Sequence, residues 1–283
     1  MNNEDEQKTE PVSLLSEIEL KHLNYLGELI DYGASRIQGV DQNKLGHLQS
    51  FLIFNHAVVN NYSEAIYTLC KDARPYAAFV LMRSLFEAHI SSEYIKIGDS
   101  EKKLALYARK GFQTRNSINN DFDAFTKKYP SKRDSVDVLK EENIKSLREF
   151  VDQYISGINS ANKLTDTDTY PRDLLSMCRK IDESAAGDEK GEAELMYHLV
   201  YRFLSQLSHV TPFGLEMFAA RDPDGTISLD LGQSKKVHLV IVQTYLYYYS
   251  SLQDLIKYQV LADTGLPKKF QDEAEEVKSC KPS

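Results

Sequence analysis

From Pro75 the chain reads Pro-Tyr-Ala-Ala-Phe-Val-Leu-Met-Arg-Ser-Leu-Phe-Glu-Ala-His-Ile and continues in the same manner to Ile97. Wound as a helix, this segment places apolar residues on almost every face, and a helix of that kind must be enclosed by protein. Pro75 near the first turn and Gly98 just past the end match the usual asymmetry of helix termini. Whatever fold the chain adopts has to be built around this element.

The remaining segments supply suitable partners. Leu14–Ile37 carries Leu15, Ile18, Leu23, Leu26 and Ile30 at near-helical spacing. Asp41 is a candidate N-cap for a helix reaching about Cys70, with Leu45, Leu48, Leu52, His56, Val59 and Ile66 along it. Ser100 opens another helix that ends near Tyr129-Pro130. Lys140–Ala161, a segment from Pro171, Glu192–His209 and Ser234–Asp263 complete the series. The pattern predicts an all-α chain, one multi-helix bundle of about seven or eight helices spanning 14–264. A small hairpin is expected near 224–230, where Asp224-Gly225 precedes alternating Thr226, Ile227, Ser228 and Leu229. Residues 1–13 read as a disordered tail and 265–283 as a mobile charged tail. At 283 residues and 42% hydrophobic composition, the chain can bury a substantial core.

Charge and composition remove several classes of function. With 34 Lys+Arg against 42 Asp+Glu, the net charge of -8 argues against a general nucleic-acid coat and a polybasic membrane binder. No run reaches the roughly 18 uninterrupted apolar residues of a membrane span, so no membrane partner is expected. The N-terminal residues lack an apolar secretory core. Three dispersed cysteines form neither a disulfide framework nor a zinc site, and a reducing cytoplasm suits them. No phosphate-binding glycine loop and no repeated Glu-x-x-His pair occurs, so neither cofactor nor metal is expected. Ser205 lies in a helical run rather than on a strand-to-helix elbow, which disfavours a serine hydrolase.

Polar residues inside the apolar helices carry the chemistry. Arg83 and Glu87 are four apart and share a face. An unpaired buried charge costs several kcal/mol, so each needs a partner. Arg before Glu is the weaker i,i+4 order for supporting a helix. Tyr201, Ser205 and His209 form a second stripe, drifting about 40° at each step. His209 precedes the Thr211-Pro212 break, which places it near a helix C-terminus, where the macrodipole favours a cation and an anion contact. If the two helices meet, these five residues converge. Two readings stay open: a functional pocket and a buried structural polar network. Separately, Tyr107–Arg115, with Arg109, Lys110 and Arg115, is a basic-aromatic stretch that could track an RNA backbone or form a solvated face. Tyr245, Tyr247, Tyr248 and Tyr249 surround their helix, as in a core or a homodimer interface.

Residues 77–94 with Arg83-x-x-x-Glu87, and Tyr201–His209 with Ser205-x-x-x-His209, resemble the signatures of an uncharacterised prokaryotic family of helical proteins. More loosely the chain is similar to HEPN proteins, whose motif is an Arg followed after four to six residues by a His. Arg83 and His89 have five residues between them. On one continuous helix they stand about 240° apart and point in different directions. The resemblance implies a metal-independent ribonuclease of a defence or stress system, completed across a homodimer, with His209 or His89 as general acid/base. The alternative is a non-catalytic sensor or interaction module acting through a protein partner.

Overall fold

The computed structural model describes residues 15–72, 74–134, 157–158, 164–165, 167–209, 219–221, 226–229, 237–262 and 265–279. The fold is all-α. Nine α-helices occur among the described residues: α1 Glu17–Ile37, α2 His47–Lys71, α3 Pro75–Lys96, α4 Ser100–Lys128, α5 Leu174–Ser184, α6 Glu192–Met196, α7 Arg202–Ser208, α8 Val237–Lys257 and α9 Lys268–Ser279. A three-residue antiparallel pairing joins β1, Ala219–Arg221, to β2, Ile227–Leu229. The Asp224-Gly225 turn, the Thr211-Pro212 break, most of the 140–161 segment and the N-terminal tail lie outside the described residues.

The chain packs as two compact units rather than the single one its periodicity suggested. The first comprises Met1–Val40, Leu52–His89 and Leu195–Ser283, and the second Asp41–Phe51 and Ile90–Glu194. In the first unit, α1 begins at a capping box in which the Ser16 hydroxyl accepts from Glu19 N and the Glu19 carboxylate accepts from Ser16 N. Its Leu23, Leu26, Leu29 and Ile30 are buried, and the helix packs on α8 and α9. In α8, Val240, Ile241, Tyr245, Tyr248, Leu252 and Leu255 are all fully buried. Buried phenols need partners. Tyr248 donates to Asn60 Oδ1 at 2.8 Å and to the Ile30 carbonyl at 3.3 Å, and Tyr245 donates to Glu273 at 3.1 Å. The approach is close: a Cβ at Gly33 would stand 2.3 Å from the Tyr248 hydroxyl.

In the second unit, Asp99 caps α4 by accepting from Lys102 N at 3.0 Å, and Leu104, Ala105 and Leu106 are buried. Gly98, at φ +64°, supplies the left-handed residue expected after α3. Lys103 Nζ donates to the carbonyls of Tyr94 and Ile97 at that helix end, and burial pushes its ammonium down to about 8. Asp182 accepts from the backbone amides of Ala193 and Glu194 at 3.0 and 2.9 Å, capping α6.

The helix expected from Glu192 runs without a break to Ser208, its turn Tyr197–Tyr201 being π-helical, with the Arg202 amide bonded to the Tyr197 carbonyl. One expectation is corrected. The segment read as a mobile charged tail contains α9. Phe270, Ala274 and Val277 repeat at i, i+4 and i+7 and bury one face, while α9 packs on α1 and α8. Charged residues of this segment flank that face, where Lys269 pairs with Glu28 and Glu276 with Lys21 of α1.

Candidate functional site

Arg83 and Glu87 stand one turn apart on α3, and Nε of Arg83 lies 3.3 Å from Glu87 Oε1. That contact is an ion pair rather than a directed hydrogen bond, because the buried Nε–H has no aligned acceptor. The helix alone does not complete the arrangement. Tyr201, at the end of the π-helical turn, brings its hydroxyl between the two charges, accepting from Arg83 Nη2 at 3.0 Å and donating to Glu87 Oε1 at 2.9 Å. Burial raises the Tyr201 phenol; Arg83 pulls it back and Glu87 pushes it further up, so the hydroxyl keeps its proton and bridges both groups. The guanidinium also lies over the Tyr201 ring, 5.1 Å from its centre. Tyr201 is held in turn by Phe86 at 5.8 Å and Tyr197 at 5.2 Å between ring centres.

The far end of Arg83 meets the C-terminus of α7. Nη1 donates to the Ser208 hydroxyl at 3.1 Å and lies 3.2 Å from His209 Nε2. His209 is the C-cap residue, with its amide bonded to the Ser205 carbonyl at 3.2 Å. A guanidinium only donates hydrogen bonds, so this contact is a hydrogen bond in the form of the ring whose Nε2 accepts. The cluster opens to solvent on one side: the side chains are 24% exposed at Arg83 and 44% at Glu87, and His209 is exposed.

Of the sequence candidates, Arg83, Glu87, Tyr201 and His209 converge. Ser205 contributes its backbone carbonyl, which accepts from Ser208 Oγ at 3.1 Å as well as from His209 N. The hydroxyl that reaches Arg83 belongs to Ser208, which the sequence reading missed. The signal was present: seven residues separate Tyr201 from Ser208, which returns a helix to within about 20°, whereas two steps of four drift about 80°. The His89 ring stacks on Tyr247 at 4.7 Å between centres, in keeping with its angular offset from Arg83.

The basic stretch of α4 is turned inward on its own unit. Arg109 donates to the carbonyls of Thr165 and Asp168, and Lys110 to the Pro171 carbonyl at 3.0 Å. Lys102 pairs with Asp168 at 2.6 Å and, with the Thr165 amide, holds that carboxyl well below the usual range. Arg115 lies on α4, and its side chain is outside the described set. Among the described residues, no group of three or more His, Cys, Asp or Glu is placed to hold a metal ion. No described helix is long and apolar enough to cross a membrane.

These features define an all-helical protein with a half-open Arg–Glu–Tyr–Ser–His cluster. The chain belongs to a family of unknown function (DUF5677), whose model matches residues 49–227 and so spans all five members of the cluster. No curated protein and no solved structure matches it.

Proposed function

We propose that the Arg83–His209 pair, supported by Glu87, Tyr201 and Ser208, is a metal-independent acid–base site for cleaving RNA phosphodiesters. The observation that carries this reading is the 3.2 Å contact, on the solvent side of the cluster, between the Arg83 guanidinium and Nε2 of the His209 imidazole. A phosphate approaching from solvent would take over the Nη1 donors of Arg83, and His209 Nε2 would then be free as a base. It would remove the 2′-hydroxyl proton as the 2′-oxygen attacks phosphorus. The bond to the 5′-oxygen breaks, the proton passes from His209 to that leaving oxygen, and a 2′,3′-cyclic phosphate remains. Arg83 offsets the charge that develops on the phosphorane oxygens. Glu87 and Tyr201 keep the guanidinium aimed, and Ser208 donates a further hydrogen bond. The loose resemblance to HEPN proteins, which rests on the Arg83–His89 spacing, extends the proposal to a homodimer in a prokaryotic defence or stress response.

One observation favours a second reading. Both terminal nitrogens of Arg83 already meet partners within the chain, and Nε lies in the ion pair with Glu87. The cluster would then be a non-catalytic polar network fixing the register of α3 against α7 in a sensor or interaction module. One experiment separates the two: purified protein is incubated with total RNA in EDTA beside Arg83→Ala and His209→Ala. Cleavage by the wild type that both variants lose, with helicity unchanged, supports the nuclease. An inactive wild type whose variants melt at lower temperature overturns it in favour of the network.

A further inference from the structure

A second cluster lies apart from this site, where α1, α8 and α9 meet. His22 of α1 is fully buried, and its Nδ1 lies 3.0 Å from Nε2 of His238, the second residue of α8. The two rings are nearly parallel, 19° apart, with centres at 5.1 Å. On the other side of His22, Nε2 stands 3.6 Å from Oε1 of Glu276 on α9. Glu276 also accepts from Lys21 Nζ at 2.5 Å and from the Tyr25 hydroxyl at 3.2 Å. Among the described residues, the charged and titratable groups facing the imidazole pair include Lys21 and Tyr25 from α1, Glu276 from α9, and each ring's own partner.

We infer that the His22–His238 pair is an acid-operated joint that holds the first turn of α8 against α1 while the pair is neutral and releases it when the pair is protonated. The reason is proton counting. A hydrogen bond between two imidazoles needs one nitrogen to donate and the other to accept. In the neutral pair, Nε2–H of His238 donates to Nδ1 of His22, and Nε2–H of His22 faces the Glu276 carboxylate. One added proton leaves a cation in a buried contact at the N-terminus of α8, where the helix dipole opposes positive charge, and the Glu276 carboxylate that would offset it is already paired with Lys21. A second proton leaves two N–H groups facing each other across 3.0 Å with no acceptor, and the bond cannot form.

The charge distribution agrees. Burial first, and then the neighbouring His238, push the His22 imidazole below its ordinary value. A group whose folded value is lowered adds stability above its unfolded value and loses it as the pH falls, so acid weakens this joint.

Hydrogen exchange at the amides of Ile241 and Val242 reads the opening, because in α8 they bond to the Val237 and His238 carbonyls. Between about pH 7 and about pH 5, the window in which imidazoles charge, the opening fraction should rise several-fold in the wild type after correction for intrinsic exchange. In His238→Gln the side-chain amide still donates to His22 Nδ1, yet accepts from it once His22 is protonated, so only the burial of His22 remains to oppose its charge and the rise should be clearly smaller than in the wild type. A flat wild-type profile, or the same rise in both proteins, overturns the joint. Should His238→Gln fail to fold, an NMR titration of the wild type decides. The His22 and His238 ring signals should move together with the Ile241 and Val242 amides, and protonation of His22 with those amides unmoved refutes the proposal.

Discussion

Replacing Tyr201 by Phe removes one oxygen and leaves the rest of the cluster standing. That oxygen accepts from Arg83 at 3.0 Å and donates to Glu87 at 2.9 Å, so two hydrogen bonds to charged partners are lost together. Fully buried, each would be worth about 1.5–3 kcal/mol. The side chains of Arg83 and Glu87 are 24% and 44% exposed, however, and water replaces much of what the phenol supplied. The combined loss is therefore about 1–2 kcal/mol. The ring keeps its contacts with Tyr197, Phe86 and the Arg83 guanidinium, so no cavity adds to it. For a chain of this size the melting temperature should fall by roughly 2–8 °C. Urea denaturation of Tyr201→Phe, Glu87→Gln and the double variant provides the test, and because the phenol bridges both charges the two effects should fall short of additive by about 0.5–1.5 kcal/mol. Ser205→Ala, whose hydroxyl does not bridge these charges, should change stability by less than about 0.5 kcal/mol. Strict additivity in the cycle, or a loss from Ser205→Ala equal to that from Tyr201→Phe, would refute the reasoning.

Two further outcomes are expected elsewhere in the first unit. His56 is buried, 2.9 Å from the Ser251 hydroxyl through Nδ1, and burial pushes its imidazole down to about 4. The unfolded chain, near 6.5, takes up the proton first, so the contribution of His56 is complete above about pH 6.5 and fades towards pH 4 by roughly 3 kcal/mol. Urea midpoints followed across that range should fall less steeply for His56→Gln than for the wild type, and equal slopes would contradict the assignment. Phe270→Ala empties the main apolar contact of α9 and should cost about 3–5 kcal/mol. Its first effect should be release of the helix, read as faster tryptic cleavage at Lys268, Lys269 and Lys278; an unchanged digestion pattern would mean that α9 is held by its ion pairs instead.

Helical periodicity made the all-α class legible, together with the central place of α3, its arrest before Gly98, and the suspicion attached to Arg83 and Glu87. These are local properties: which residues recur on one face, which terminate a helix, and which charges cannot stay buried alone. The same periodicity was present in Phe270, Ala274 and Val277, but the surrounding charge masked it, and only the docking of α9 on α1 and α8 reveals that face as core. Which hydroxyl completes the cluster was a question of angle over seven residues together with the π-helical turn at Tyr197–Tyr201, which no spacing rule announces. That His209 lies beside Arg83 while the His89 ring stacks on Tyr247 is a matter of which helices meet. The His22–His238 pair lies furthest from anything the sequence could disclose. Its members are 216 positions apart, and nothing in a one-dimensional pattern says which two helices meet, because a pairing energy exists only once the tertiary fold brings two nitrogens to hydrogen-bonding distance and excludes water from around them.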